Sequence, residues 1–248
     1  MTTLPAQPSR LLPLPDHDVE RVLCVVAHPD DMEYGAAAAV AKWTAAGKTV
    51  TYLLATRGEA GINDREPGEV GPLRVDEEIA GAKVVGVQVV EFLDHHDGVV
   101  EYGLPLRRDI ARAVRRHRPD LVVSINHHER FAGGMPNQAD HRAVGLAVLD
   151  AARDAGNRWI FTELGDEGLE PWGGARMVAI AGSPLPTHFV DVDGFMPQAV
   201  GSLQAHAAYL AGLGEAAPDP EEFLTWMAAA VGEPLGLLAA VSFEVFEI

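Results

Sequence analysis

Apolar positions along this chain fall into two alternating rhythms. Residues 22–26 form a near-continuous apolar, β-branched run, as expected of a strand buried on both faces of a parallel sheet. Similar runs at 48–55, 87–93 and 120–125 predict a second, third and fourth strand. Between them the spacing turns helical. Residues 34–46 are rich in alanine and stop at Gly47, residues 73–85 keep a helical period, 104–118 make a basic amphipathic helix, and 140–155 make another.

The segments 64–72 and 126–139 are polar and rich in Gly and Pro, so both are expected to be loops. The arginines of 104–118 (Arg107, Arg108, Arg112, Arg115, Arg116 and Arg118) are expected on a solvated helix face. Short strands follow at 159–163, 177–181 and 189–192, then helices over 194–213 and 220–231, and a last strand at 241–246. Neither a repeat nor a linker interrupts this order, which predicts one domain over residues 1–248 with an extended segment at 1–18. The β-α alternation predicts a Rossmann-like α/β fold. Its sheet would be doubly wound and mostly parallel, with helices on both faces, right-handed crossovers and a smaller carboxyl-terminal α/β region.

Composition narrows the partners. Nineteen Lys and Arg against 36 Asp and Glu leave a net charge of −17, a field that repels nucleic acid and anionic lipid surfaces. The one cysteine, Cys24, lies within the first strand run, so neither a disulfide framework nor a cysteine metal cage is expected, and a reducing cytoplasm is the expected compartment. Pro5, Pro8, Pro13 and Pro15 interrupt a start that lacks the basic and apolar regions of a signal peptide. No apolar run approaches the roughly 20 residues that span a bilayer, so no membrane association is expected.

The segment after the first strand changes the picture. A nucleotide-binding fold of this kind would place Gly-x-Gly-x-x-Gly there. This chain instead has His28-Pro29-Asp30-Asp31-Met32-Glu33, an imidazole and adjacent carboxylates at the sheet edge where open α/β folds build ligand sites. His28 and Asp31 can approach one cation from the same turn, and zinc accepts such a set with a third ligand and an open position for water. His141 is the expected third ligand, because it opens a helix after the fourth strand and so reaches the same edge. Iron(II) or cobalt would suit the same donors. Asp30, not needed as a ligand, is placed to take a proton from an activated water and return it to a leaving group, the constellation for amide hydrolysis.

These residues carry a resemblance. His28-Pro29-Asp30-Asp31-x-Glu33 after a strand, with Asp140-His141-Arg142-Ala143-Val144-Gly145 near mid-chain, resembles the PIG-L/LmbE family of zinc-dependent N-deacetylases. Thr56-Arg57-Gly58-Glu59-Ala60-Gly61, Arg74-Val75-Asp76-Glu77, Phe92-Leu93-Asp94 and Asp97-Gly98 extend it over the amino-terminal two-thirds, with only Gln198 and His206 beyond. The resemblance implies zinc on His28, Asp31 and His141, Asp30 as general base, and Asp140 as a carboxylate orienting a neighbouring polar group. It also implies hydrolysis of the N-acetyl group of a small amino sugar or glycoside.

One position departs from the family's His-x-Asp-His pattern: Gln138 stands where the first histidine belongs. A glutamine amide can donate to an oxyanion but cannot supply a proton. Either His127 or His128 fills that role from the same loop, or proton transfer rests on Asp30 alone. Arg57, Glu59 and Arg65 are expected to hold sugar hydroxyls or a phosphate, and Asp94 or a neighbour to make one substrate contact. The alternatives are a non-catalytic metal- or carbohydrate-binding protein on the same fold, suggested by Gln138, and an amidase acting on a thiol conjugate. A homo-oligomer is compatible with all of these.

Overall fold

The computed structural model describes residues 11–214 and 217–248, so the first ten residues of the expected extended segment lie outside the described residues. The strands are β1 (Leu12–Pro13), β2 (Arg21–Val26), β3 (Thr49–Leu54), β4 (Val89–Phe92), β5 (Leu121–Ile125), β6 (Met177–Ala181), β7 (His188–Asp191) and β8 (Ala240–Glu247). They form one sheet in the order β1-β7-β8-β6-β5-β2-β3-β4. Pairing is parallel throughout except along β8, which runs antiparallel to β6 and β7.

The strand order explains where a site can form. From β2 the chain winds outward through β3 and β4, then returns to the other side of β2 as β5. The carboxyl ends of β2 and β5 therefore flank the reversal point, where the connections leave in opposite directions and open a crevice. Every residue of Leu23–Val26 and of Leu121–Val123 is fully buried, as a central parallel strand covered on both faces requires.

The helices are α1 (Asp31–Gly35), α2 (Ala37–Ala45), α3 (Pro67–Val84), α4 (Leu104–His117), α5 (Ala139–Asp154), α6 (Glu163–Asp166), α7 (Met196–Gln204), α8 (Ala207–Gly212) and α9 (Pro220–Gly232). The pair α4 and α5 packs together against β2, while α1, α2, α3, α7 and α9 form the opposing layer. No helix among the described residues is long and apolar enough to cross a membrane.

Five expectations need correction. The segment 64–72 is not all loop, since α3 begins at Pro67. Proline suits a first helical position, and the early turns are anchored by buried Val70 and Gly71 despite Pro72. The helix expected over 34–46 starts instead at Asp31 and is split at Ala36 (φ −154°), so the motif's own carboxylates lie in a helical turn.

No strand occupies 159–163. The carbonyls of Asn157, Ile160 and Phe161 accept from the guanidinium of Arg115, which draws them inward and away from any ladder. For the same reason Arg115 is buried and not on the solvated face expected for it. Finally, the helix expected over 194–213 breaks at His206 into α7 and α8, and this break carries the His206 ring fully into the interior.

Candidate active site

The turn after β2 is built by Asp31. Its Oδ2 accepts the backbone N–H groups of Ala27 (3.0 Å) and His28 (2.8 Å), so its carboxylate is fixed against the strand end before any other ligand is considered. Asp31 Oδ1 then faces His141 Nε2 at 3.0 Å, and Asp31 Oδ2 lies 3.7 Å from His28 Nδ1. All three residues and Asp30 are 6–8% exposed. Burial acts to raise the Asp31 pKa, yet His141 and His28 hold it well below the usual carboxylate range.

The far ring nitrogens are anchored. His28 Nε2 lies 3.2 Å from Asp140 Oδ2 and 3.0 Å from Asp97 Oδ1; carboxylates only accept, so Nε2 carries the proton. Asp140 is itself held by the N–H groups of Gly98 (2.7 Å) and Val100 (3.1 Å). Burial works against the charge of Asp140 and Asp97, but bonding to His28 keeps both pKa values below normal.

On His141, Nδ1 meets Asn137 Oδ1 at 3.1 Å. The Asn137 amide is oriented unambiguously, because its nitrogen donates to the carbonyls of Asn126 (2.6 Å) and His128 (2.9 Å). Oδ1 must then be the atom facing His141, so Nδ1 donates and Nε2 keeps a free lone pair. That Nε2 is buried and makes no hydrogen bond.

His28, Asp31 and His141 thus present Nδ1, Oδ1 and Nε2 to one another, with the opposite faces tied back to protein. They form a candidate metal-binding triad. Nitrogen and carboxylate donors with carboxylate or amide partners behind the imidazoles are the chemistry of a divalent-cation site, so the residues present fit such an ion.

Asp30 stands apart from the triad. Its backbone is left-handed (φ 86°), a conformation uncommon outside glycine, and its N–H donates to Glu78 Oε2 at 3.1 Å. Its carboxylate lies 3.3 Å from the guanidinium of Arg74, which also donates to the Pro29 carbonyl. Burial pushes the Asp30 pKa up to about 6, with Arg74 opposing the shift. Arg74 needs the glycines of the loop after β3: a Cβ at Gly61 would fall 2.5 Å from Arg74 Nη1, and one at Gly58 within 3.2 Å of its guanidinium.

The remaining expected residues are placed differently. Gln138 opens α5 beside Asn137 with its side chain exposed. Of the two candidate loop histidines, His128 bonds Glu244 Oε2 at 2.7 Å, a carboxylate shared with Ser183, while His127 packs its ring on His128 and Phe246.

Arg57 is tied to Asp94 Oδ1 (2.9 Å) and to the Leu93 carbonyl (3.2 Å). Both Glu59 oxygens accept backbone N–H groups, from Asp97 (3.0 Å) and from Arg57 (3.2 Å), so Glu59 clasps two loops together. Arg65 is exposed. Asp94 points outward, and Asp97, three residues on, is the carboxylate that reaches His28.

Sequence reasoning missed Asp97, Asn137 and Glu78 as site residues. Asn137 had a signal in its place just before the helix start that carries His141, at a spacing of four residues. Glu77, matched to the family's Arg-x-x-Glu helix, accepts from the Ala208 N–H, whereas Glu78 beside it reaches Asp30.

The chain is thus an α/β protein with a candidate metal-binding His-Asp-His triad buried at the reversal point of its sheet. The sequence profile of the PIG-L family, described as GlcNAc-PI de-N-acetylase, matches residues 23–152, and this chain belongs to that family.

Diacetylchitobiose deacetylase of Thermococcus kodakarensis is 30% identical over 194 residues, covering 77% of this chain and 71% of that protein. The 1D-myo-inositol 2-acetamido-2-deoxy-alpha-D-glucopyranoside deacetylase of Kineococcus radiotolerans is 28% identical over 251 residues, covering 75% and 68%.

Among solved structures, N,N'-diacetylchitobiose deacetylase from Pyrococcus horikoshii superposes with a TM-score of 0.83 at 24% identity, over 94% of this chain and 85% of that one. GalB, a 4-carboxy-2-hydroxymuconate hydratase from Pseudomonas putida, superposes at 0.71 with 18% identity, over 91% and 95%. The same scaffold therefore carries more than one reaction, and the fold alone does not name this one.

Proposed function

We propose that this protein is a metal-dependent N-deacetylase that hydrolyses the N-acetyl group of a small amino sugar or glucosaminyl compound. The observation that carries this reading is the division of labour at the β2 turn. Three side chains face one point with their outer atoms anchored, and a separate carboxylate, Asp30, stands beside them with a pKa in the range of a general base.

His28, Asp31 and His141 would hold the cation, and zinc suits the set. Bound there, a divalent cation polarises the amide carbonyl and makes water a stronger nucleophile near neutral pH. Asp30 takes the proton from the attacking water and returns it to the departing amine, and Arg74 beside it limits the rise in its pKa. Asp140 and Asp97 hold the proton of His28 on Nε2, and Asn137 holds that of His141 on Nδ1. Gln138, exposed at the start of α5, offers an amide N–H to the developing oxyanion. Arg57, Arg65 and His128 are assigned to the walls that hold the sugar, with Glu59 and Asp94 fixing the loops that carry them. The relatives named above as deacetylases of acetylated glucosaminyl compounds support the substrate class.

The test is amine release from a panel of N-acetylated amino sugars, using protein stripped of metal and then reconstituted with zinc, iron(II) or cobalt. Release that appears only on reconstitution supports the reading. Metal binding with no amine released from any member of the panel would overturn it.

A further inference from the structure

Behind the β2 turn lies a second cluster, buried and apart from the triad. Glu33 on α1, Glu78 on α3, Ser202 on α7 and His206 at the α7–α8 break are all at most 1% exposed. His206 Nε2 stands 3.7 Å from Glu78 Oε2 and 3.9 Å from Glu33 Oε2. Ser202 Oγ lies 2.8 Å from both Glu33 Oε1 and the Gly81 carbonyl.

The cluster exists because α3 and α7 come unusually close. A Cβ at Gly81 would fall 2.9 Å from the Ser202 carbonyl, 3.2 Å from His206 Nε2 and 3.3 Å from Glu33 Oε1. Buried carboxylates without compensation are costly, so such a group persists when the surrounding structure requires it.

What the cluster touches suggests the requirement. Glu78 Oε2, the oxygen nearest His206, is also the acceptor of the Asp30 N–H. Asp30 has a left-handed backbone, and a backbone in that state persists only when its neighbours over-determine it. One turn beyond His206, Tyr209 lays its ring under the Arg74 guanidinium, 3.7 Å from the ring centroid, and that guanidinium lies 3.3 Å from the Asp30 carboxylate. The carboxyl-terminal elbow thus reaches Asp30 twice: at its backbone through His206 and Glu78, and at its carboxylate through Tyr209 and Arg74.

We propose that Glu78 and His206 are positioning residues that hold Asp30 in its left-handed turn, so that the α7–α8 elbow sets the aim of the base. This rests on the assignment of Asp30 as base made above. His206 packs against the Glu78 carboxylate at 3.7 Å, Glu78 Oε2 accepts the Asp30 N–H, and Ser202 lies against Glu33, the far wall of the His206 pocket.

Three variants test it: Glu78→Gln, which keeps an acceptor for the Asp30 N–H; Glu78→Met, which keeps volume but no acceptor; and His206→Gln. Each is assayed for kcat, KM, metal content, and hydrogen exchange across residues 28–33. The expected result is a fall in kcat of about 10- to 100-fold in Glu78→Met and His206→Gln, with KM within about twofold and metal retained. Exchange of the 28–33 amides should quicken by about tenfold or more in the same two variants, while Glu78→Gln stays near the parent on both readouts.

Equal losses in Glu78→Gln and Glu78→Met would overturn the proposal, as would unchanged exchange at 28–33 in His206→Gln. The exchange readout needs no turnover. If the parent released no amine, the catalytic reading would fail while the tether was still decided by exchange.

Discussion

The two segments that supply the triad are built in opposite ways. The turn after β2 is buried along its whole motif and held through backbone N–H groups: those of Ala27 and His28 donate to the Asp31 carboxylate, and that of Asp30 donates to Glu78. The loop after β5 carries Met135 at 70% exposure and an exposed Gln138, and it holds His141 through the single side chain of Asn137. One segment fixes charge and protonation state; the other keeps one ligand rigid and leaves its remaining surface open to a substrate. The proposed hydrolysis, which needs stiff ligands and an accessible amide, would be served by that division.

The comparison can be broken most severely at Asp31. Asp31→Ala removes a metal donor and the acceptor of two buried N–H groups at once. It should abolish hydrolysis, reduce metal content to background, and cost about 2–4 kcal/mol of stability. Metal analysis and thermal denaturation of the same sample check this; full metal occupancy in the variant would show that Asp31 is not a ligand.

Asp30→Asn should come next in size, with kcat lowered about 100- to 10,000-fold and metal retained. Persistence of near-parental kcat would remove Asp30 from the proton transfer and leave the turn with a ligating role only.

The buried turn was also the part legible in the sequence. His28, Asp30 and Asp31 lie within four residues directly after an apolar strand run, so local pattern alone indicated where they would gather, and His141 followed from the strand-to-helix junction after the fourth expected strand, β5.

What the pattern could not show was anything assembled across the chain. Asp97 reaches His28 from the loop after β4, Glu78 reaches Asp30 from α3, and His206 comes from the carboxyl-terminal third, in a stretch that reads as one continuous helix. The same limit explains the strand expected at 159–163: its composition suits a strand, but the distant Arg115 takes its carbonyls. Pro67 and Pro72 read as loop residues, yet packing of Val70 and Gly71 keeps them in α3.

In the exposed loop, Asn137 is the one residue whose loss should be felt at the metal. Asn137→Ala frees Nδ1 of His141 and the carbonyls of Asn126 and His128 together, and metal affinity should fall about 10- to 100-fold. Titration of stripped protein with a chromophoric metal competitor measures it. Affinity unchanged from the parent would mean that His141 is aimed by the helix alone.

The smallest effect is expected at Gln138, and its size discriminates. A preorganised oxyanion donor is worth about 100- to 1,000-fold in kcat. The Gln138 side chain is exposed and makes no capping bond at the start of α5, so it must be ordered anew by each substrate. Gln138→Ala should therefore lower kcat by about tenfold or less, with metal content and stability unchanged. Gln138→His, which adds a group able to give up a proton, should raise kcat above the parent if proton delivery to the leaving amine limits turnover. A loss of 1,000-fold in Gln138→Ala would instead mark the open loop as catalytically organised as the buried turn, and the contrast between the two segments would collapse at that residue.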